Sequence, residues 1–235
     1  MQNQNLCVVH RRVAVERRKI YCAGPLFNPK EREEMSQIAS VLQDAGYSVF
    51  LPQRDGLEFA RLFPLFLERG VPASDAQSIL NMAIFSLDVF QVVNSSGLLL
   101  NMNGRVPDEG AMVEAGIAWA NNRVVVVFRS DSRSLIEGNC NPLVLGLSDF
   151  SVVAEYDEIA AAFDAKFSAG AEEELLATDN QFEAATKSGR EINNYLAARR
   201  SGDEIADLLI NLFRERICRN LEGPKGTCSQ AHTQP

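Results

Sequence analysis

The chain has 235 residues, of which 46% are hydrophobic and 23% are charged. This is the composition of a globular protein, and the chain is long enough to bury a core without disulfide bonds. The net charge of −8 and the pI of about 4.9 argue against binding to a nucleic-acid polymer or an anionic membrane surface, because both need a positive field.

Histidine and cysteine restrict the possible chemistry further. The two histidines, His10 and His232, lie near the termini, which argues against a Ser-His-Asp triad, a Cys-His dyad or a histidine metal site. The five cysteines are scattered without a CxxC motif, so we expect reduced thiols and a cytoplasmic protein. No apolar run approaches the roughly 18 residues of a membrane span. Acid–base chemistry must therefore come mainly from carboxylates.

The first predicted elements are a strand, a helix and a second strand. The strand covers residues 19–24 and ends in Gly-Pro. Asn28 is a good N-cap, Glu31 completes a capping-box pattern, and Gly46 is a plausible end of the helix. The second strand covers residues 49–51. This order predicts a βαβ unit with parallel strands.

Alternating elements continue along the chain. In order they are a loop or short helix over 57–70, a helix over 75–93, and a strand over 98–100. A loop and helix over 107–121, a strand over 124–128 and a weaker strand over 150–153 follow. Continuous aliphatic runs are typical of strands covered on both faces. The pattern predicts an α/β fold with a doubly wound, flavodoxin-like five-stranded parallel sheet, which binds ligands at the carboxyl ends of its strands.

The character of the sequence changes after residue 157. The remaining segments favour helices over 157–168, 171–199 and 202–219, without a strand signal. One of them carries an apolar stripe of Ile205, Leu208, Leu209, Leu212 and Phe213. We therefore divide the chain into an irregular leader (1–18), an α/β domain (19–157), a helical C-terminal extension (158–219) and a polar tail expected to be disordered (220–235).

Candidate functional residues cluster after the third strand. Asp108 precedes a helix, and Glu114 lies inside it among apolar neighbours. A helix N-terminus stabilises an exposed carboxylate by only about 0.3–1 kcal/mol, which is less than the cost of burying an unpaired one. Glu114 is therefore exposed, paired with a cation or held in a functional cleft. Tyr21 points to the same edge of the sheet, where it is either a core residue or a site residue. Asp88 is either exposed at an edge or buried for a functional role.

Two carboxylates with a supporting third, and no histidine, suit reaction at an acetal-like carbon. Glycosyl transfer needs one carboxylate to attack the sugar and a second acid to help the leaving group. A carboxylate nucleophile divides the reaction into two steps through a covalent intermediate.

These residues and their motifs resemble the nucleoside 2-deoxyribosyltransferase family over roughly residues 19–155. The resemblance rests on Tyr21 with Ala23-Gly24-Pro25, Asp88, Asp108-Glu109-Gly110 and Glu114-Ala115-Gly116-Ile117-Ala118. It implies that Glu114 attacks C1′ of the sugar and that Asp88 manages the proton of the leaving base. It also implies that Asp108 binds sugar hydroxyls and orients the nucleophile, and that Tyr21 hydrogen-bonds Glu114.

The resemblance implies further substrate contacts. Gly24 would lie at the substrate, and Gln53 and Asp55 are candidates for holding the base. Arg105 could bind a phosphate, and Asn141 falls where the family lends an asparagine to the neighbouring subunit's pocket. Family members form oligomers with shared sites, so we expect at least a dimer, and no metal or organic cofactor is implied.

The resemblance favours an enzyme that exchanges nucleobases on 2′-deoxyribonucleosides through a covalent deoxyribosyl-Glu intermediate, with free nucleobases as the other substrates. Two alternatives stay open. One is a hydrolase that splits the N-glycosidic bond of deoxynucleoside 5′-monophosphates. The other is a non-catalytic nucleotide-binding sensor module. The preference for purines or pyrimidines also stays open.

Overall fold

A computed structural model describes residues 17–104, 107–131, 141–168 and 183–221, without the side chains of 183–185 and 215–221. The leader as far as residue 16, the predicted helix between 171 and 182, the tail from residue 222, and Arg105 lie outside the described residues.

The described strands form one parallel sheet. They are β1 (Lys19–Ala23), β2 (Ser48–Phe50), β3 (Gly97–Asn101), β4 (Val124–Phe128) and β5 (Val152–Val153). Their order across the sheet is β2-β1-β3-β4-β5, with every pair parallel. This is the flavodoxin-like doubly wound order, so the predicted fold class is confirmed.

Helices connect and follow the strands. They are α1 (Pro29–Asp44), α2 (Pro52–Asp55), α3 (Phe59–Glu68), α4 (Ala73–Val93), α5 (Glu109–Ala120), α6 (Pro142–Leu147), α7 (Glu158–Ser168), α8 (Glu183–Ala197) and α9 (Gly202–Leu221). The short helices α2 and α6 have no counterpart in the sequence-based prediction. The segment predicted as a loop or short helix contains the ten-residue helix α3, which buries Leu62 and Phe66 although Pro64 lies inside it.

The start of α1 follows the predicted capping pattern. The Asn28 side chain accepts a hydrogen bond from the Glu31 amide (3.0 Å), and the Glu31 carboxylate accepts one from the Asn28 amide (3.3 Å). Pro29 occupies the first helical position, where its missing N–H is not needed. The helix ends just before Gly46, which has a φ of 94°.

The sheet buries apolar side chains on both faces, because successive residues of a strand point in opposite directions. One face, with Ile20, Cys22, Leu99 and Val126, is covered by α1 and α7. The other face carries Tyr21, Phe50, Leu98, Leu100, Val125 and Val127, and α3, α4, α5, α8 and α9 pack over it.

Helix α4 is the centre of this second layer. It is 21 residues long and, by length and composition alone, apolar enough to cross a membrane. Polar residues interrupt its apolar positions along the sequence. More than half of its most apolar window is buried inside the protein, since α3, α5, α8 and α9 surround it.

The C-terminal helices pack against the α/β layer of the same chain. Helix α8 crosses α4, and α9 contacts α3, α4 and α8. Arg69 at the end of α3 pairs with Asp203 (2.9 Å) and Asp207 (2.7 Å) of α9. In the predicted apolar stripe Ile205, Leu209 and Phe213 are buried.

We predict that Gly189→Ala destabilises the protein because α8 approaches α4 most closely at this residue. A Cβ atom there would overlap the Ser86 carbonyl oxygen and the Phe90 Cβ. The overlap should cost about 1–3 kcal/mol and outweigh the gain of about 1 kcal/mol in helix propensity. Urea denaturation measures the change. Gly116→Ala is the control, because its Cβ would meet nothing within 4 Å, and it should not destabilise the fold.

Candidate active site

A hydrogen bond between two residues 93 positions apart defines the candidate site. The Tyr21 hydroxyl in β1 donates to Glu114 Oε1 in α5, with an O–O distance of 2.6 Å. Tyr21 is fully buried, and its ring stacks on that of Phe50 in the neighbouring strand, with 5.5 Å between ring centroids. The packing of the ring therefore fixes the position of the hydroxyl group.

The start of α5 sets the position of Glu114. The Asp108 carboxylate caps this helix by accepting hydrogen bonds from the amides of Gly110 (2.8 Å) and Ala111 (3.2 Å). Ala115, which follows Glu114, is buried against the sheet. The Glu114 side chain is thereby held at Tyr21 and remains partly exposed.

Glu114 is half-buried and not fully exposed on the helix surface. No salt bridge joins it to a cation among the residues that the structure describes, and its hydrogen-bond partner is neutral Tyr21. The pKa of Glu114 is raised to about 8, mainly by burial and also by the nearby charges of Asp88 and Asp108, while the Tyr21 hydrogen bond acts in the opposite direction.

Asp88 supplies the second carboxylate from α4. It is partly buried, and burial raises its pKa to about 7, opposed by an interaction with the Tyr21 hydroxyl. The pKa of Tyr21 is raised well above its ordinary value by burial and by the charges of Glu114 and Asp88. Tyr21 therefore stays protonated as a donor, while the two acids can exchange protons near neutral pH.

In the structure, Gln53 and Asp55 form hydrogen bonds with nearby residues of the protein. Gln53 donates from Nε2 to the Arg32 carbonyl and the Ser36 hydroxyl of α1 (both 2.8 Å). Asp55 accepts from the Leu51 amide (2.9 Å) and pairs with the preceding residue, Arg54.

Gly24 and Asn141 also take part in local packing and helix capping. A Cβ on Gly24 would lie 2.6 Å from Met35 Sδ and 2.8 Å from Asn101 Cβ, so glycine allows α1 to approach β1. Asn141 caps α6 by accepting from the Leu143 amide (2.9 Å). Tyr21, Asp88, Asp108 and Glu114 are thus brought together, whereas the Gln53 and Asn141 side chains bond elsewhere and their substrate roles stay predictions.

A polar network missed in the sequence analysis holds the loops at the carboxyl ends of β3 and β4. The Asn103 side chain donates from Nδ2 to Glu34 Oε1 (2.7 Å) and to Ser130 Oγ (2.8 Å). Its side-chain oxygen Oδ1 accepts from the Ser130 amide (2.9 Å). Asn101 also donates to Glu34 (3.1 Å). Two asparagines directly after a buried aliphatic strand are the signal that could have indicated this network.

The fold and the site define a doubly wound α/β protein whose candidate catalytic groups are carboxylates oriented by a buried tyrosine. The family model described as nucleoside 2-deoxyribosyltransferase matches residues 20–193. The chain therefore belongs to the nucleoside 2-deoxyribosyltransferase family. No curated protein matches it.

Three solved structures are similar to the chain. A 2-deoxyribosyltransferase from Bacillus psychrosaccharolyticus is 18% identical, with a TM-score of 0.44 over 60% of this chain and 90% of that one. A conserved protein from Enterococcus faecalis V583 is 21% identical, with a TM-score of 0.45; the match covers 64% of this chain and 99% of that one. A 2-desoxiribosyltransferase from Leishmania mexicana is 20% identical, with a TM-score of 0.40; the match covers 65% of this chain and 98% of that one.

We predict that Glu114→Gln stabilises the protein more at high pH than at low pH. The pKa of Glu114 rises from an ordinary 4.5 to about 8 on folding. Between these values the folded state binds more protons than the unfolded state, so stability falls as pH rises. Glutamine removes this penalty and still accepts the Tyr21 hydrogen bond.

Thermal unfolding at about pH 5 and about pH 9 measures the difference, and we expect a gain of about 1–3 kcal/mol at the higher pH. The control is Glu109→Gln, which changes an exposed acid of the same helix. An equal gain in both variants, or no gain for Glu114→Gln, would contradict the burial of a costly charge at Glu114.

Proposed function

We propose that the protein transfers 2-deoxyribosyl groups between nucleobases. Family membership supports the class of reaction. The observation that carries the proposal is the 2.6 Å hydrogen bond from buried Tyr21 to Glu114, beside the second acid Asp88. A carboxylate with one oxygen held by a neutral donor keeps its other oxygen for attack on a substrate.

In the first step, ionised Glu114 attacks C1′ of a 2′-deoxyribonucleoside. A C–O ester bond forms as the C1′–N bond to the base breaks, and Asp88 gives its proton to the departing base. In the second step, a nitrogen of a new base attacks C1′, releases Glu114 as a carboxylate and returns a proton to Asp88. Two inversions give net retention at C1′. Asp108 would bind the sugar hydroxyls.

Both raised pKa values let the two acids change protonation state near neutral pH. Asp88, with a pKa of about 7, can carry a proton near neutral pH and release it during the reaction. Glu114, with a pKa of about 8, is ionised in part of the population, and a desolvated carboxylate is a stronger nucleophile than a solvated one. The pair thus supplies a nucleophile and an acid without histidine.

A hydrolase is the second candidate, and the partial exposure of Glu114 supports it. A water molecule could reach the covalent intermediate and replace the incoming base. The substrate would then be a deoxynucleoside 5′-monophosphate, whose phosphate Arg105 could bind.

We predict that thymidine and a second free base yield a new deoxynucleoside when incubated with the protein. Glu114→Gln should lower this rate by at least about 10³-fold, because the nucleophile is lost. A 2-fluoro-sugar analogue should leave a covalent adduct on the Glu114 peptide, detected by mass spectrometry.

Two outcomes decide between the candidates. Release of free deoxyribose 5-phosphate from a monophosphate, without acceptor base and without exchange, would replace the transferase by the hydrolase. An active preparation without a Glu114 adduct would refute the covalent mechanism for both. Glu109→Gln serves as the activity control because this acid is exposed at the start of the same helix.

We also propose a cytoplasmic homo-oligomer with shared sites. The support for association is a set of large apolar side chains, each more than half exposed, on α4, on α5, on α6 and in the turn after α6. They are Phe85, Val113, Trp119, Leu143 and Phe150. Helix α5 contacts both α4 and α6. Asn141, predicted to enter a neighbour's pocket, lies two residues from Leu143. An exposed apolar group of this kind is typical of an interface.

Light scattering should therefore give at least a dimer, and Trp119→Lys should shift the mass towards the monomer at low concentration. Phe27→Lys is the control, since Phe27 is also an exposed aromatic residue but precedes α1. A monomeric wild-type protein would refute the interface.

A further inference from the structure

A cleft of about 440 Å³ lies between the segment that follows β2 and the C-terminal helices. The first wall includes Arg54, Leu57 and Arg61, and the opposite wall includes Leu196 and Arg200. The second wall belongs to α8, to the turn before α9 and to the start of α9. The ion pairs of Arg69 with α9 hold the two walls together.

The cleft is separate from the group of acids at Glu114. Tyr21, Asp88, Asp108 and Glu114 are all missing from its lining. Phe50 is the connection, because it lines the cleft and its ring stacks on Tyr21. The Phe50 ring thus separates the cleft from the tyrosine that orients Glu114.

Three arginines from different elements line the cleft, in a chain of net charge −8. Arg54 is held by Asp55, through Nε (2.9 Å) and one terminal nitrogen (2.8 Å). Arg200 pairs with Glu204 (3.0 Å) at the exposed end of the helix pair. Arg61 forms no side-chain hydrogen bond or ion pair with any residue in the part of the chain that the structure describes.

Two acids also line the cleft, and they differ in their hydrogen-bond partners and exposure. Asp55 is occupied by Arg54 and by the Leu51 amide. Glu58 is exposed and forms no side-chain cap at the start of α3. Arg61 is therefore the cation available to a ligand, Arg200 can be recruited from its exposed pair, and Glu58 is a nearby repelling charge.

The remaining lining is apolar and fits the body of an organic ligand. Leu57, Leu62, Leu196 and Ile205 line the cleft together with Phe50. A ligand that combines a flat apolar body with an anionic group would use both parts of this lining, and a nucleoside 5′-monophosphate has this combination.

We propose that this cleft is a second ligand site, separate from the Glu114 site, which binds a nucleoside 5′-monophosphate with its phosphate at Arg61 and Arg200. A ligand there contacts Phe50 and so reaches the packing of Tyr21. The site joins the α/β domain to the C-terminal helices, so the ligand would also stabilise their contact.

Calorimetry with thymidine 5′-monophosphate, compared with thymidine and with inorganic phosphate, tests the site in the full chain. We expect the monophosphate to bind more tightly than either part and to weaken as salt is added. Arg61→Ala should weaken it by about fivefold or more, because a charged hydrogen bond is lost. Glu58→Gln should tighten it, because a repelling charge is removed.

Two further variants serve as controls. Arg199→Ala removes an equal charge from an exposed residue beside Arg200 that does not line the cleft, and the affinity should stay within about twofold. Glu114→Gln should also leave the affinity within about twofold, which separates this binding from the proposed transfer reaction. Base exchange should persist in Arg61→Ala.

Three results would overturn the proposal. The first is a monophosphate that binds no more tightly than thymidine. The second is an equal loss in Arg61→Ala and Arg199→Ala, which would indicate only the general charge of the surface. The third is a loss in Glu114→Gln as large as that in Arg61→Ala, which would place the monophosphate at the Glu114 site. A protein without exchange activity could still pass this binding test.

Discussion

The hydrogen bond between Tyr21 and Glu114 is the interaction on which the candidate site depends. It joins an inner strand of the sheet to the helix that follows β3, across 93 residues of sequence. The parallel order of the strands makes this contact possible, because β1 lies directly beside β3. The tyrosine cannot move away, since it is buried and stacked on Phe50. The sheet therefore acts as a rigid support that holds one oxygen of the nucleophile candidate.

The candidate site brings together two acids, Asp88 and Glu114, whose charged forms are disfavoured by burial. Two partly buried acids lie close together with no described cation paired to Glu114. Burial raises the pKa of both, and the charge of Asp88 adds to the shift of Glu114. A protein selected for stability alone would place other residues there. The same destabilisation keeps a proton mobile near neutral pH, which the proposed sugar transfer needs. The Asp108 cap of α5 partly offsets the cost by holding the helix start in place.

The C-terminal helices extend the structure beyond this site. Helix α4 carries Asp88, and α8 and α9 cover another part of its surface. The close approach at Gly189 fixes the contact between α8 and α4, and the Arg69 ion pairs attach α9 to α3. As a result, the cleft at the arginines lies between the segment after β2 and the C-terminal helices. Phe50 lines this cleft and stacks on Tyr21, so the helical segment forms one wall of a cleft as well as packing on α4.

The sequence alone predicts the order of the five strands and of the helices α1, α4, α5 and α7, the parallel sheet and the capped start of α1. It also indicates carboxylates as candidate reactive groups. These features depend on short-range patterns: aliphatic runs, helical periodicity and the scarcity of histidine. It left Glu114, Asp88 and Tyr21 each with two or more interpretations, and the contact between Tyr21 and Glu114 came only from the resemblance to a family. The tertiary structure decided that contact, the turning of Gln53 towards α1, the helical state of the segment around Pro64 and the cleft at Arg61. The physical reason is that the direction and burial of a side chain depend on which distant elements pack against it, and no local pattern records that packing.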